Sequence, residues 1–117
     1  MSENILKDKS YSFAIDIVKA TEQIISQRKE YVLSKQLIRS GTSIGALIRE
    51  AEFAQSKPDF INKISISLKE ANETIYWINL LKDTNYISEE LFVSLSKNCH
   101  ELISMLVASV KTAKATK

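Results

Sequence analysis

Apolar residues along this chain recur at steps of three and four, and that spacing divides it into four helical segments. The first is predicted over about Ser10 to Lys29, with Phe13, Ile17, Ala20 and Ile24 on one stripe and Ala14, Val18, Thr21 and Ile25 beside it. A stripe this wide suits a helix that touches two neighbours. The second is predicted over about Val32 to Gln55, carrying Leu37, Gly41, Ile44, Ile48 and Ala51. Its short connection to the first implies an antiparallel hairpin. SKPD, Ser56 to Asp59, marks the next boundary: Ser56 supplies a cap, Pro58 lies where a missing N–H is tolerated, and Asp59 sits at the positive end of the helix dipole. This third helix continues to about Thr84 through Ile61, Ile64, Leu68, Ala71, Ile75 and Ile78. Asn85 and Tyr86 break the pattern. Ser88, followed by Glu89 and Glu90, caps a fourth helix carrying Phe92, Leu95, Cys99, Leu102, Leu106 and Val110. Strand-like alternation is absent throughout. The expected fold is all-α, an antiparallel up-down four-helix bundle, with one domain over residues 1–117 and flexible ends at about 1–9 and 112–117.

The second helix places Gly41, Ser43 and Gly45 in the middle of its run. An interior glycine costs about 1 kcal/mol relative to alanine. Two of them four residues apart imply a compensating need, met most simply by the close approach of another backbone. Gly41 and Gly45 are therefore expected at a close helix crossing.

These helices also carry more apolar surface than one core requires. On the third, Ile66, Trp77 and Leu81 lie roughly opposite the centre of the main stripe, with Leu80 to one side, among Lys63, Glu70 and Glu73. On the second, Ala46 and Phe53 point away from Ile44, with Arg39, Arg49 and Glu50 around them. Contiguous exposed apolar residues mark interaction surfaces, and Trp and Arg often anchor them. Arg39, Ala46, Arg49, Phe53, Ile66, Trp77 and Leu81 are the expected oligomer interface.

Composition narrows the class of protein. At 117 residues and 44% hydrophobic, the chain is long enough for one core without staples. Cys99 is the single cysteine, so no internal disulfide forms, and the opening MSENILKDKS lacks the apolar centre of a signal peptide. No apolar run approaches the roughly 20 residues of a membrane span. A cytoplasmic protein without a membrane partner is expected. The net charge of +2 gives no argument for a strongly basic nucleic-acid module, yet Lys111, Lys114 and Lys117 form a basic tail.

Catalytic chemistry finds little support in the residues. Di-iron bundles need Glu-x-x-His pairs on two helices, and His100 is the lone histidine. Cys99 and His100 are adjacent, so on a helix they point about 100° apart. No nucleophile-elbow glycines surround a serine, and GTSIG, Gly41 to Gly45, lacks the Gly-Lys of a phosphate loop. Glu50, Glu52, Glu70 and Glu73 could converge, but Arg39, Arg49, Lys63 and Lys69 are equally placed to pair with them. A non-enzyme without metal or cofactor is expected.

The stretch from Tyr31 to Leu81 resembles the four-helix-bundle proteins known as the S23, or 23S ribosomal RNA intervening-sequence, protein family. The resemblance rests on L-x-x-Q-L/I-x-R-S-x-x-S-I, here Leu33, Gln36, Leu37, Arg39, Ser40, Ser43 and Ile44. It extends to Arg49-Glu50-Ala51, the Ser56 to Phe60 junction and LKEANE from Leu68 to Glu73. Leu47 departs from the pattern, standing where the family often has Asn. The resemblance implies a homopentamer and supplies no catalytic residue. Five copies would raise the charge to about +10 and cluster Arg39, Arg49, Lys111 and Lys114 into an array for RNA or DNA phosphates. The alternative is a protein-partner scaffold, such as the reverse-transcriptase accessory subunit of a diversity-generating retroelement, a related branch of the family.

Overall fold

In a computed structural model that describes residues 2–116, and the side chains of residues 5–116, the chain forms four helices. They are α1 (Ser2–Arg28), α2 (Val32–Glu52), α3 (Lys57–Asp83) and α4 (Glu89–Ala115). Each helix packs only against its two neighbours around the bundle, α1 on α2 and α4, and α3 on α2 and α4. The bundle measures 50 × 21 × 20 Å, so its cross-section is square. The α1–α4 seam is the least extensive of the four.

Local chemistry sets three of the helix starts. Ser56 Oγ accepts the Asp59 N–H at 3.1 Å, and Ser88 Oγ accepts the Leu91 N–H at 3.1 Å. Helix α2 has no capping side chain at Tyr31. Its free donors are taken instead by Glu30, whose carboxylate accepts the N–H groups of Val32, Leu33 and Ser34 at 3.0, 2.9 and 2.8 Å and the Ser34 hydroxyl at 3.1 Å. Burial pushes the Glu30 carboxyl up, but these hydrogen bonds to its charged form outweigh that and hold it below the usual 4.5. Lys29 and Asn85 end α1 and α3 with φ of 55° and 66°. That left-handed turn redirects the chain, and asparagine tolerates it better than most side chains.

Helix α1 begins eight residues before the expected Ser10, and Leu6 within that extension is buried in the core. Lys7 pairs with Glu52 at 3.1 Å and Lys9 with Glu101 at 3.3 Å, tying the same turns to α2 and α4. Of the ends expected to be flexible, Met1 and Lys117 lie outside the described residues, while α4 continues helically to Ala115.

The core runs the length of the bundle through Phe13, Ile17, Ile24, Leu37, Ile44, Ile64, Ile78, Leu95, Leu102 and Leu106. Full burial of one such aliphatic side chain contributes about 1.5–3 kcal/mol. Between α2 and α3 the core is hydroxylic. Ser67 donates to the Ile44 carbonyl at 2.9 Å, and Thr74 reaches Ser40 Oγ at 3.0 Å. These bonds satisfy the buried oxygens, and the small side chains bring the two helices together. Between α1 and α2, Gly41 lies against Ile17 and Gly45 against Ser10.

Candidate functional site

Two adjoining sides of the bundle carry exposed apolar groups, and α2 is the edge they share. On the α1–α2 side, Tyr11, Ile15 and Val18 project from α1. The outward surface of α2 beside them is built of small residues, Thr42, Gly45 and Ala46. The height difference makes a groove of about 640 Å³ lined by Tyr11, Ala14, Thr42, Gly45, Ala46 and Arg49. Around the α2 edge, Phe53 leaves the helix at its last turn and is 75% exposed. It borders a shallower cleft with Arg49, Glu50, Asp59 and Lys63. Ile66 lies further along α3, 36% exposed.

The expected interface residues divide unequally over this surface. Ala46, Arg49 and Phe53 are exposed and adjoin one another. Trp77 is half-buried against the core, its ring edge-on to Tyr76 at 4.9 Å and its Nε1–H donated to Glu73 at 3.0 Å. Leu81 is a correction: it is fully buried, inside the core rather than on an outer patch. The reason is the hydroxylic seam. Ser67 and Thr74 face inward, which rotates the buried face of α3 toward Leu81 and away from the centre of its purely apolar stripe. Tyr11, Ile15 and Val18 lie outside the expected set of interface residues. Their signal in the sequence is the width of the α1 stripe, whose outer margin extends beyond the reach of α2.

Charges sort into paired and unpaired groups. Arg39 bridges Glu70 and Glu73, so its charge is neutralised across the α2–α3 seam. Lys63 pairs with Glu50 at 3.2 Å. Arg49, Lys111 and Lys114 form no ion pair among the described residues. Because α2 and α4 both finish at the end of the bundle where α3 begins, these three share that end with Lys57. The negative ends of the α2 and α4 dipoles lie there beside the positive ends of α1 and α3, so the dipoles offset one another at that end.

No arrangement among the described residues assembles a reaction centre. Cys99 is buried, donates its S–H to the Ala71 carbonyl at 3.4 Å, and has its thiol pushed up to about 12 by desolvation. It is a protonated core residue at neutral pH, and His100 beside it is exposed. No group of three His, Cys, Asp or Glu side chains is placed to hold a metal among the described residues. A cavity of about 440 Å³ at the end of the bundle is lined by Leu6, Ile48, Phe60 and Ile64, with only the Lys7–Glu52 pair, Ser56, Lys57 and Ser109 for polarity. No described helix is long and apolar enough to cross a membrane. Leu47, at the position where an Asn is frequent by resemblance, is half-buried on α2.

Comparison with known proteins agrees with this architecture. A protein of unknown function from the S23 ribosomal protein family of Bacteroides thetaiotaomicron VPI-5482 is 51% identical in sequence and superposes with a TM-score of 0.93, over 95% of this chain and 99% of that one. No curated protein matches this chain at a significant level. The pattern of the 23S rRNA-intervening sequence protein family matches residues 2–108, nearly the full length of the bundle. The chain belongs to the 23S rRNA-intervening sequence protein family.

Proposed function

We propose that this chain is a non-catalytic, cytoplasmic subunit that assembles with copies of itself, five by family resemblance, and that the assembly binds RNA or DNA. The observation that carries the reading is the pair of adjoining apolar surfaces, Tyr11–Ile15–Val18 on one side and Phe53–Ile66 on the next, left open by a bundle whose core is otherwise complete. Exposed patches of this kind are interaction sites. Arg49, Lys57, Lys111 and Lys114, which share one end of each subunit and form no ion pair among the described residues, support the nucleic-acid half of the proposal. Repetition around an assembly multiplies them, and phosphate affinity rises with the number of neutralised contacts.

A protein-partner scaffold, such as a reverse-transcriptase accessory subunit, is the second reading. The neutralisation of Arg39 by Glu70 and Glu73 favours it, since one expected phosphate contact is already occupied. Native mass spectrometry of protein purified at low salt without nuclease separates the two. A closed oligomer carrying heterogeneous extra mass supports nucleic-acid binding. A clean oligomer supports the scaffold, and a monomer overturns the assembly on which both depend.

A further inference from the structure

We infer that the two apolar surfaces are complementary halves of one contact: Phe53 of each copy enters the α1–α2 groove of the next, and copies associate head-to-tail around a ring with α2 at its inner edge. This rests on the self-association proposed above and specifies how it is made.

The placement of knob and groove carries the inference. Phe53 cannot fill the groove of its own chain, because the groove lies on the α1 side of α2 and Phe53 on the α3 side, with Ala46 and Arg49 between them lining both. A two-fold contact requires one self-complementary surface, whereas knob and groove on different faces make a heterologous contact that closes into a ring when the rotation allows. The square cross-section sets that rotation. Faces meeting at roughly a right angle along α2 close after about four copies.

Size and charge fit a second copy of this chain. A groove of about 640 Å³ with Ala14, Gly45 and Ala46 in its floor has room for a phenyl ring. One side of a bundle 50 Å long and 20 Å wide offers about 1,000 Å², against the ~800 Å² per partner of a stable interface. Arg49 and Asp8 at the groove have no ion-pair partner among the described residues of their own chain. The surface around Phe53 presents Asp59, whose carboxylate accepts the Gln55 N–H and forms no ion pair among the described residues, beside the Lys63–Glu50 pair. Docking brings Asp59 of one copy toward Arg49 of the next at the rim. Arg49 then serves the subunit contact, leaving Lys57, Lys111 and Lys114 for phosphates.

The test uses a knob variant, Phe53→Glu, and two groove variants, Ala14→Arg and Tyr11→Glu, each checked for native helicity by circular dichroism. Tyr11 is 65% exposed, so its replacement leaves folding intact even if Ala14→Arg does not. In native mass spectrometry the wild type forms an assembly larger than a dimer, and each variant alone is a monomer of 13.2 kDa. An equimolar mixture of knob and groove variants forms a heterodimer and nothing larger, since each pair retains one working contact and two dead ends. A monomeric wild type overturns the self-association itself. A wild-type assembly that survives Phe53→Glu, a wild-type dimer, or a mixture that stays monomeric or restores the full assembly overturns this contact alone.

Discussion

Gly41 lies so close to Ile17 that a methyl group added at Gly41 would sit 2.9 Å from Ile17 Cγ1 and 3.0 Å from Cγ2. Ile17 is fully buried and branched at Cβ, so neither atom can swing aside without parting α1 from α2. Gly41→Ala therefore loses more to overpacking, about 1–3 kcal/mol, than the ~1 kcal/mol gained in helix propensity. At Gly45 the added methyl would meet Ser10 Oγ at 3.2 Å, a hydroxyl that can rotate. Gly45→Ala should be the more stable of the two variants in urea denaturation. Adding Ile17→Ala to Gly41→Ala should cost less than the sum of the single changes, and strict additivity would sink the crowding argument.

Glu30 makes the start of α2 sensitive to acid. Its carboxyl is held below 4.5 in the fold, so the stabilisation is fully present above that pH and disappears as pH falls through the lowered value. Glu30→Gln keeps an acceptor but loses the charge at the positive end of the helix, a cost of about 0.5–1 kcal/mol at pH 7. Denaturation midpoints of wild type and variant should converge once pH falls through the lowered value, where the carboxyl takes up its proton. A gap that stays constant from neutral pH down to that point would show that the charge is immaterial.

The α2–α3 and α3–α4 boundaries are legible in the sequence because their punctuation is chemical: Ser56 and Ser88 accept the N–H groups expected of caps, and Asn85 takes the left-handed turn. The start of α1 is harder to read. Leu6 stands seven residues before Phe13 on the same stripe, but Lys7, Asp8 and Lys9 around it give the segment the polarity of a frayed end. The outer surface is only partly legible for a different reason. Counting Ser67 and Thr74 as polar displaces the apparent core of α3, which puts Leu81 outside and Trp77 too far from the core. Buried hydroxyls that find partners across a helix pair behave as core residues, and hydropathy alone cannot recognise them.

Cys99 links the core to alkaline pH. Its thiol is pushed from the usual 9.0 up to about 12 by burial, so the folded chain holds the proton more tightly than the unfolded one. The resulting contribution to stability is intact below pH 9.0 and is lost as pH rises from there toward about 12. Wild type should lose stability more steeply than Cys99→Ala across that window in parallel urea titrations. Iodoacetamide at mildly alkaline pH should label the thiol only after denaturant is added. Rapid labelling of the native protein would place Cys99 at an accessible site and remove it from the core.

Arg39 and the α4 lysines should respond oppositely when RNA is offered. Arg39 is already neutralised by Glu70 and Glu73, and freeing it for a phosphate would leave two carboxylates facing the same polyanion. Arg39→Ala should leave the affinity for a fluorescent single-stranded RNA within about twofold and cost at most ~1 kcal/mol of fold stability, the range of an exposed ion pair. Lys111 and Lys114 are exposed and unpaired among the described residues, on the last turns of α4. Replacing both with alanine should weaken binding and flatten its dependence on salt by about 0.7 in log–log slope for each phosphate no longer neutralised, while assembly mass stays unchanged. Anisotropy titrations at two salt concentrations give both quantities. Equal losses for Arg39→Ala and the lysine pair would show that the Glu70–Arg39–Glu73 bridge opens on binding, and an unchanged slope in the lysine pair would take the α4 terminus out of the nucleic-acid surface.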